Sequence, residues 1–270
     1  MSLKGLSCCQ TSISTTFNYA IPVNEQLVLV RNAGFTHISL GMNYEHSQIL
    51  NEESLNSLIK LLNELDLRVD TVHGYDLDKD DAIEINKNVA KAANKLKAGI
   101  VVVHCSDFWF NDAEYETKEK IVRKRICSLE KIAKENKIRF ALENVVPGKP
   151  TMLCEQMIEI GNPRYIGFCY DFSHDQIAGP NNMDLLKRQK ERLIAIHISD
   201  RIKEFVDHVI PGEGFIHFDE IIPLVRESTF NGPVLMEVEM THSKYKDVNE
   251  FLIMANKSAQ NIAKEMDHSQ

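Results

Sequence analysis

Six residues of metal-ligating type each close a short apolar, strand-like run: His73, His104, Glu143, Asp171, His197 and Glu237. Imidazoles and carboxylates gathered at one place are costly to bury unless a cation neutralises them. Such donors suit Mn²⁺, Zn²⁺, Co²⁺ or Mg²⁺ better than a soft, thiolate-seeking metal. Each residue alone has an ordinary reading. His104, after Val101-Val102-Val103, reads equally as a strand-end histidine, and Asp171 as a cap of the following segment. Glu237 competes with Glu239, two residues on and on the same face, and is preferred for its place at the strand end. The weight lies in the recurrence.

Residues this far apart in sequence converge only if many strands end at one place. Strands are expected at Gly5–Cys9, Thr36–Gly41, Leu67–His73, Gly99–His104, Arg139–Asn144, Tyr165–Asp171, Leu193–Ile198 and Pro233–Val238. Helical patterns lie between them, as at Asp81–Leu96, Ala113–Lys134 and Phe218–Arg226, with a closing helix at Val248–Met266. Eight strands alternating with helices imply an all-parallel α/β sheet, and eight such units close into a (β/α)8 TIM barrel, here one domain over residues 1–270. Alternation within strands favours closure over a doubly wound open sheet. In Phe140-Ala141-Leu142-Glu143 and Ile194-Ala195-Ile196-His197, small residues share a face with the terminal polar group. Barrel active sites are assembled at the C-terminal ends of the strands.

Further polar groups follow the strands. His174 comes three residues after Asp171, and His208 lies in Val206-Asp207-His208-Val209-Ile210-Pro211-Gly212-Glu213-Gly214. That Gly-rich loop, with Arg201 or Lys203 near it, could cradle a substrate phosphate or be an ordinary turn. Trp109 could form an apolar wall for a sugar or anchor the core. The basic stretch Lys118–Lys134 reads as the solvated face of a helix.

Composition bounds the class. Of 270 residues 43% are hydrophobic, enough for a sizeable core, and no apolar run approaches the ~20 residues that span a bilayer. The start, MSLKGLSCCQTS, lacks the apolar stretch of a secretory signal. Six scattered cysteines without a C-x-x-C pair point to reduced thiols and a cytoplasmic protein. A formal charge of −8 argues against a broad nucleic-acid surface, and no membrane partner is expected.

VHGYD, VVVHCSD, LENV, GFCYDFSHD, HISD, DHVIPGEG and PVLMEV, in this order, resemble the xylose isomerase-like barrel superfamily over about residues 30–240. That superfamily holds sugar and sugar-phosphate isomerases and epimerases and the endonuclease IV group. For the first branch the resemblance implies one divalent metal held by Glu143, Asp171, His197 and Glu237. Glu143 and Glu237 would also carry protons through a metal-stabilised enediolate. His73, His104, His174, Arg201 and His208 would bind a small carbohydrate substrate. No organic cofactor is implied, and homo-oligomers are common among such barrels. A related dehydratase or lyase would use the same chemistry to expel water. The endonuclease IV branch implies a larger zinc cluster acting on abasic DNA, with His73, His104, His174 and His208 as additional ligands. Three departures weigh against it: Val206 where that branch has an acid, Val145-Val146-Pro147-Gly148 in place of a Gly-rich run, and Gly74-Tyr75-Asp76-Leu77 after the strand-3 histidine.

Overall fold

The computed structural model describes residues 10–267. The elements run β1 (Thr11–Ser14), α1 (Val23–Asn32), β2 (His37–Leu40), α2 (Tyr44–Ser47), α3 (Glu52–Glu64), β3 (Arg68–His73), α4 (Ala82–Leu96), β4 (Ile100–His104) and α5 (Asp112–Asn136). They continue β5 (Arg139–Glu143), α6 (Lys149–Ile160), β6 (Ile166–Asp171), α7 (Phe172–Asp175), α8 (Asp184–Gln189), β7 (Leu193–His197), α9 (Phe218–Arg226), β8 (Val234–Met236) and α10 (Val248–Met266). All strand pairings are parallel, in the order β7-β6-β5-β4-β3-β2-β1-β8. The bridge Ile198↔Met236 joins the two ends, so the sheet is a closed (β/α)8 barrel.

The expected first strand, Gly5–Cys9, lies outside the described residues. The strand that pairs with both β2 and β8 is Thr11–Ser14. The other seven expected strands are present with ends shifted by at most two residues. Side-chain alternation divides the strands into two faces. Ile13, Ile38, Val69, Val101, Phe140, Phe168, Ile196 and Met236 join the large outer core beneath the helices. Val102, Ala141, Cys169 and Ala195 form a second, smaller cluster, the filling of the barrel itself. Small residues are needed there because eight strands converge on a narrow interior.

Two strands break the alternation. Between the pairs Ile38↔Val69 and Leu40↔Val72, β3 carries one residue more than β2, so Asp70 and Thr71 both lie between outward-packing valines. Thr71 Oγ1 lies 2.7 Å from Ser39 Oγ. β7 does the same at Ile194, between the pairs Phe168↔Leu193 and Cys169↔Ala195. Such bulges re-aim side chains, and Ile194 turns toward the space left by Gly167.

The basic stretch Lys118–Lys134 is only partly the solvated face expected of it. Lys118 forms ion pairs with Asp78 and Asp107, and Arg125 donates to the carbonyls of Leu77 and Lys79. These residues dock α5 against the loop after β3, where the backbone offers carbonyls that need donors.

Candidate metal centre

Strand ends put the candidate ligands in place. Glu143, Asp171 and His197 are the last residues of β5, β6 and β7, and Glu237 follows β8 directly. Register keeps them level, since Asp171 pairs with His197 and His104 with Glu143. One ligand atom from each of Glu143, Asp171, His197 and Glu237 lies within 4.8 Å of the others, and all four are buried. His197 Nδ1 stands 3.1 Å from Glu143 Oε1 and 2.7 Å from Glu237 Oε2.

Asp171 shows how the set fits a cation. One oxygen, Oδ1, caps α7 by accepting from the His174 backbone N–H at 2.6 Å. The other, Oδ2, is buried without a hydrogen-bond partner. A buried carboxylate oxygen left unsatisfied is costly, and a divalent ion supplies what it lacks. The two readings of Asp171 are compatible: Oδ1 caps α7, and Oδ2 is left for a cation. The clustered carboxylates and imidazole form a divalent-metal site.

Three further histidines approach Glu143. His73 Nε2 and His104 Nε2 lie 3.2 and 3.3 Å from Oε2, and His174 Nδ1 lies 3.4 Å from Oε1. Among the further groups with ligand spacing, His73–His104–Glu143 and Asp171–His174–His208 each share a carboxylate with the main set. His208, at φ 53°, sits 3.3 Å from Asp207 and 5.6 Å, ring to ring, from His174.

Charge in the site is distributed as pairs. Burial acts to lower the His197 pKa, but Cys169, Glu143 and Glu237 outweigh it and raise it well above the ordinary value. The same contest, won by Glu143 and Asp76, lifts His104 to about 10. Burial opposes ionisation of Glu143, yet His197 and His104 hold its pKa well below the usual carboxylate range. Glu237 is drawn down to about 2 against burial, chiefly by His197. Asp171 goes the other way, raised by burial.

Arg201 does not join this group. It is fully buried, and its guanidinium is committed to the carbonyls of Ser173, Lys203 and Glu204 and to Asp207. The Gly-rich loop is likewise engaged. The N–H groups of Gly212, Gly214 and Ile216 all donate to the Asp200 carboxylate, at 2.8–3.0 Å. A phosphate cradle built from those amides is therefore excluded, because an internal anion already occupies their donors. Trp109 is 59% exposed, and its neighbour Phe108 packs edge-on against His104 and His174, with ring centroids 5.4 and 4.8 Å apart.

Four residues near the centre lay beyond the sequence reading. Cys169 clusters with Glu143 and His197, their ligand atoms within 4.8 Å of one another, and its place two residues before Asp171 on the same face was the available signal. Asp76 holds His104 Nδ1 at 3.0 Å, orienting Nε2 toward Glu143. Asp200 and Phe108 depend on loop courses that periodicity does not describe.

Comparison with known proteins agrees with this architecture. The family model described as xylose isomerase-like TIM barrel matches residues 27–268. The uncharacterized protein y4fM of Sinorhizobium fredii (strain NBRC 101917 / NGR234) is 24% identical over 254 residues, 81% of either chain. Among solved structures, the IOLI protein with a binding zinc atom superposes with a TM-score of 0.80 at 17% identity, covering 96% of this chain and 99% of that one. A D-tagatose 3-epimerase-like protein gives 0.74 at 16% identity, covering 95% and 98%. At these identities the structural likeness is one of fold. The family model runs from within α1 to the end of α10, so the chain belongs to the xylose isomerase-like TIM barrel family.

Proposed function

We propose that the protein is a metal-dependent sugar or sugar-phosphate isomerase or epimerase that moves a proton at the carbon beside a substrate carbonyl. The observation that carries this reading is the pair Glu143 and Glu237, two buried carboxylates approaching the same imidazole nitrogen from β5 and β8. A divalent ion held by Glu143, Asp171, His197 and Glu237 would supply Lewis-acid stabilisation of charge on a substrate oxygen. Glu143 and Glu237 are both held ionised, so either can accept a proton. Two carboxylates on separate strands can serve the two faces of a planar enediolate, one removing the proton and the other returning it. Delivery to the opposite face gives epimerisation, and delivery to the next carbon gives isomerisation. His73, His104, His174 and His208 would meet sugar hydroxyls, with Phe108 as an apolar wall. The D-tagatose 3-epimerase-like neighbour supports the reading by analogy of fold.

The test is solvent deuterium incorporation into ketoses and ketose phosphates by metal-loaded protein, read by mass spectrometry. Exchange is expected in the wild type and should fall at least about a thousandfold in E143Q and in E237Q. A broad panel with no exchange would sink the proposal.

A second reading, a zinc phosphodiesterase of endonuclease IV type, is favoured by the two extra ligand groups that share Glu143 and Asp171. Metal analysis separates the two. One ion per chain supports the isomerase reading, whereas two or three zinc ions with nicking of abasic duplex DNA would replace it.

A further inference from the structure

At the end of the barrel opposite the metal centre, two arginines stand on either side of β6. Arg139 opens β5, on the face shared by Ala141 and Glu143, and Arg192 immediately precedes β7. Both guanidinium groups reach the connection between α6 and β6. Arg139 Nη2 donates to Pro163 O at 3.1 Å, and Arg192 Nη2 donates to Gly161 O and Ile166 O, each at 2.9 Å. The Nε of each is buried with no hydrogen-bond partner. Neither arginine forms an ion pair with a carboxylate among the described residues. Glu130, nearby on α5, accepts from the Asn162 N–H at 2.8 Å.

The surroundings sharpen the anomaly. Ile100, register partner of Arg139, and Ile194, two residues after Arg192, pack half-buried on the small interior cluster, so the residues flanking the two arginines are apolar. Burial lowers the Arg139 pKa, and burial followed by the Arg139 charge lowers that of Arg192, so the two cations repel each other. A third arginine, Arg68, opens β3 at the same end. Like charges held partly out of water with donors unspent are stabilised by an anion between them. The carbonyl contacts pre-orient the planar forks, which suits a tetrahedral oxyanion.

We propose that Arg139 and Arg192 form an oxyanion site of phosphate chemistry at the N-terminal end of the barrel, separate from the metal centre. Each Nη2 is anchored to the α6–β6 connection, and the donors that remain on each guanidinium receive the anion's oxygens.

The probe is inorganic phosphate, titrated calorimetrically at low ionic strength into the full chain kept metal-free with chelator. The unmutated protein should show saturable binding in the millimolar range or tighter. R139Q and R192Q should each weaken it about tenfold, the worth of a charge-assisted hydrogen bond, with circular dichroism reporting their fold. E143Q, altered only at the metal centre, should bind phosphate as the unmutated chain does. Phosphate should also raise the unfolding temperature of the unmutated chain above that in chloride of equal ionic strength, a readout independent of any variant's folding. Absence of saturable binding in the unmutated chain overturns the proposal. So does binding that survives in R139Q and R192Q, or binding that E143Q abolishes.

Discussion

Glu143 touches four imidazoles, with Oε1 facing His197 and His174 and Oε2 facing His73 and His104. Before a metal binds, the contacts of His197 and His104 are charge pairs, because both keep their protons well above neutrality. A metal must displace a proton from His197 to bind it. Metal uptake should therefore release protons, and apparent affinity should climb as pH rises from about 6 to 9. Titrations in buffers of differing ionisation enthalpy measure both; affinity independent of pH would contradict the assigned ligand. Asp76 belongs to the same scale. D76N removes the negative partner of His104 Nδ1, and turnover should drop about tenfold to a hundredfold with the fold intact, the loss being greatest where His104 titrates. The clustering of Glu143, Asp171, His197 and Glu237 was legible because each ends a strand pattern, whereas the contact of Asp76 was not, since it depends on a loop folding back over 28 residues of sequence.

Among the elements, the β7–α9 loop shows how a charged residue can shape backbone rather than bind substrate. Asp200 accepts from the N–H groups of Arg201, Gly212, Gly214 and Ile216. Removing it in D200A leaves those donors without their anion and should cost about 2–4 kcal/mol, read as a lower urea midpoint with an unchanged slope. Gly214 is bound to the same arrangement, because a Cβ there would stand 2.2 Å from Arg201 O and 2.4 Å from Asp200 Oδ1. G214A should destabilise by about 1–3 kcal/mol, and the effect should be smaller in a D200A background, as coupled neighbours require. The helices α9 and α10 were readable to the residue from their apolar spacing. β1 was not: its sequence is Thr-Ser-Ile-Ser, with Ser12 and Ser14 on the face opposite Ile13, and a strand whose inner face is hydroxyl carries little of the apolar alternation that marks the others. The bulges in β3 and β7 were equally silent, because an extra residue changes which way side chains face without changing composition.

For the whole molecule, the histidine charges link stability to pH. His104 and His208 have folded pKa values raised to about 10 and about 9 from an ordinary 6.5. Both sit against a burial penalty that nearby carboxylates overcome. Their contribution is complete below about pH 6.5 and is lost as pH rises through 9 to 10. Chelated protein should therefore have a lower denaturation midpoint at pH 9.5 than at pH 6.5, and metal loading should flatten the difference. No helix among the described residues is long and apolar enough to cross a membrane.

The barrel's staves are not equally joined. β4 and β5 are in register over five residue pairs, but β7 meets β8 through the single bridge Ile198↔Met236 and the bonds Ile198 N→Leu235 O and Glu237 N→Ile198 O, each 3.0 Å. His197 and Glu237 stand on either side of that seam, 2.7 Å apart. An ion held by both would work as a hoop, drawn tight where the wood is least joined. Amide hydrogens of Ile198 and Glu237 should exchange early in the stripped protein and slow sharply once the hoop is on, while those of β4 and β5 scarcely change. Loading would then be the last act of folding as well as the first of catalysis.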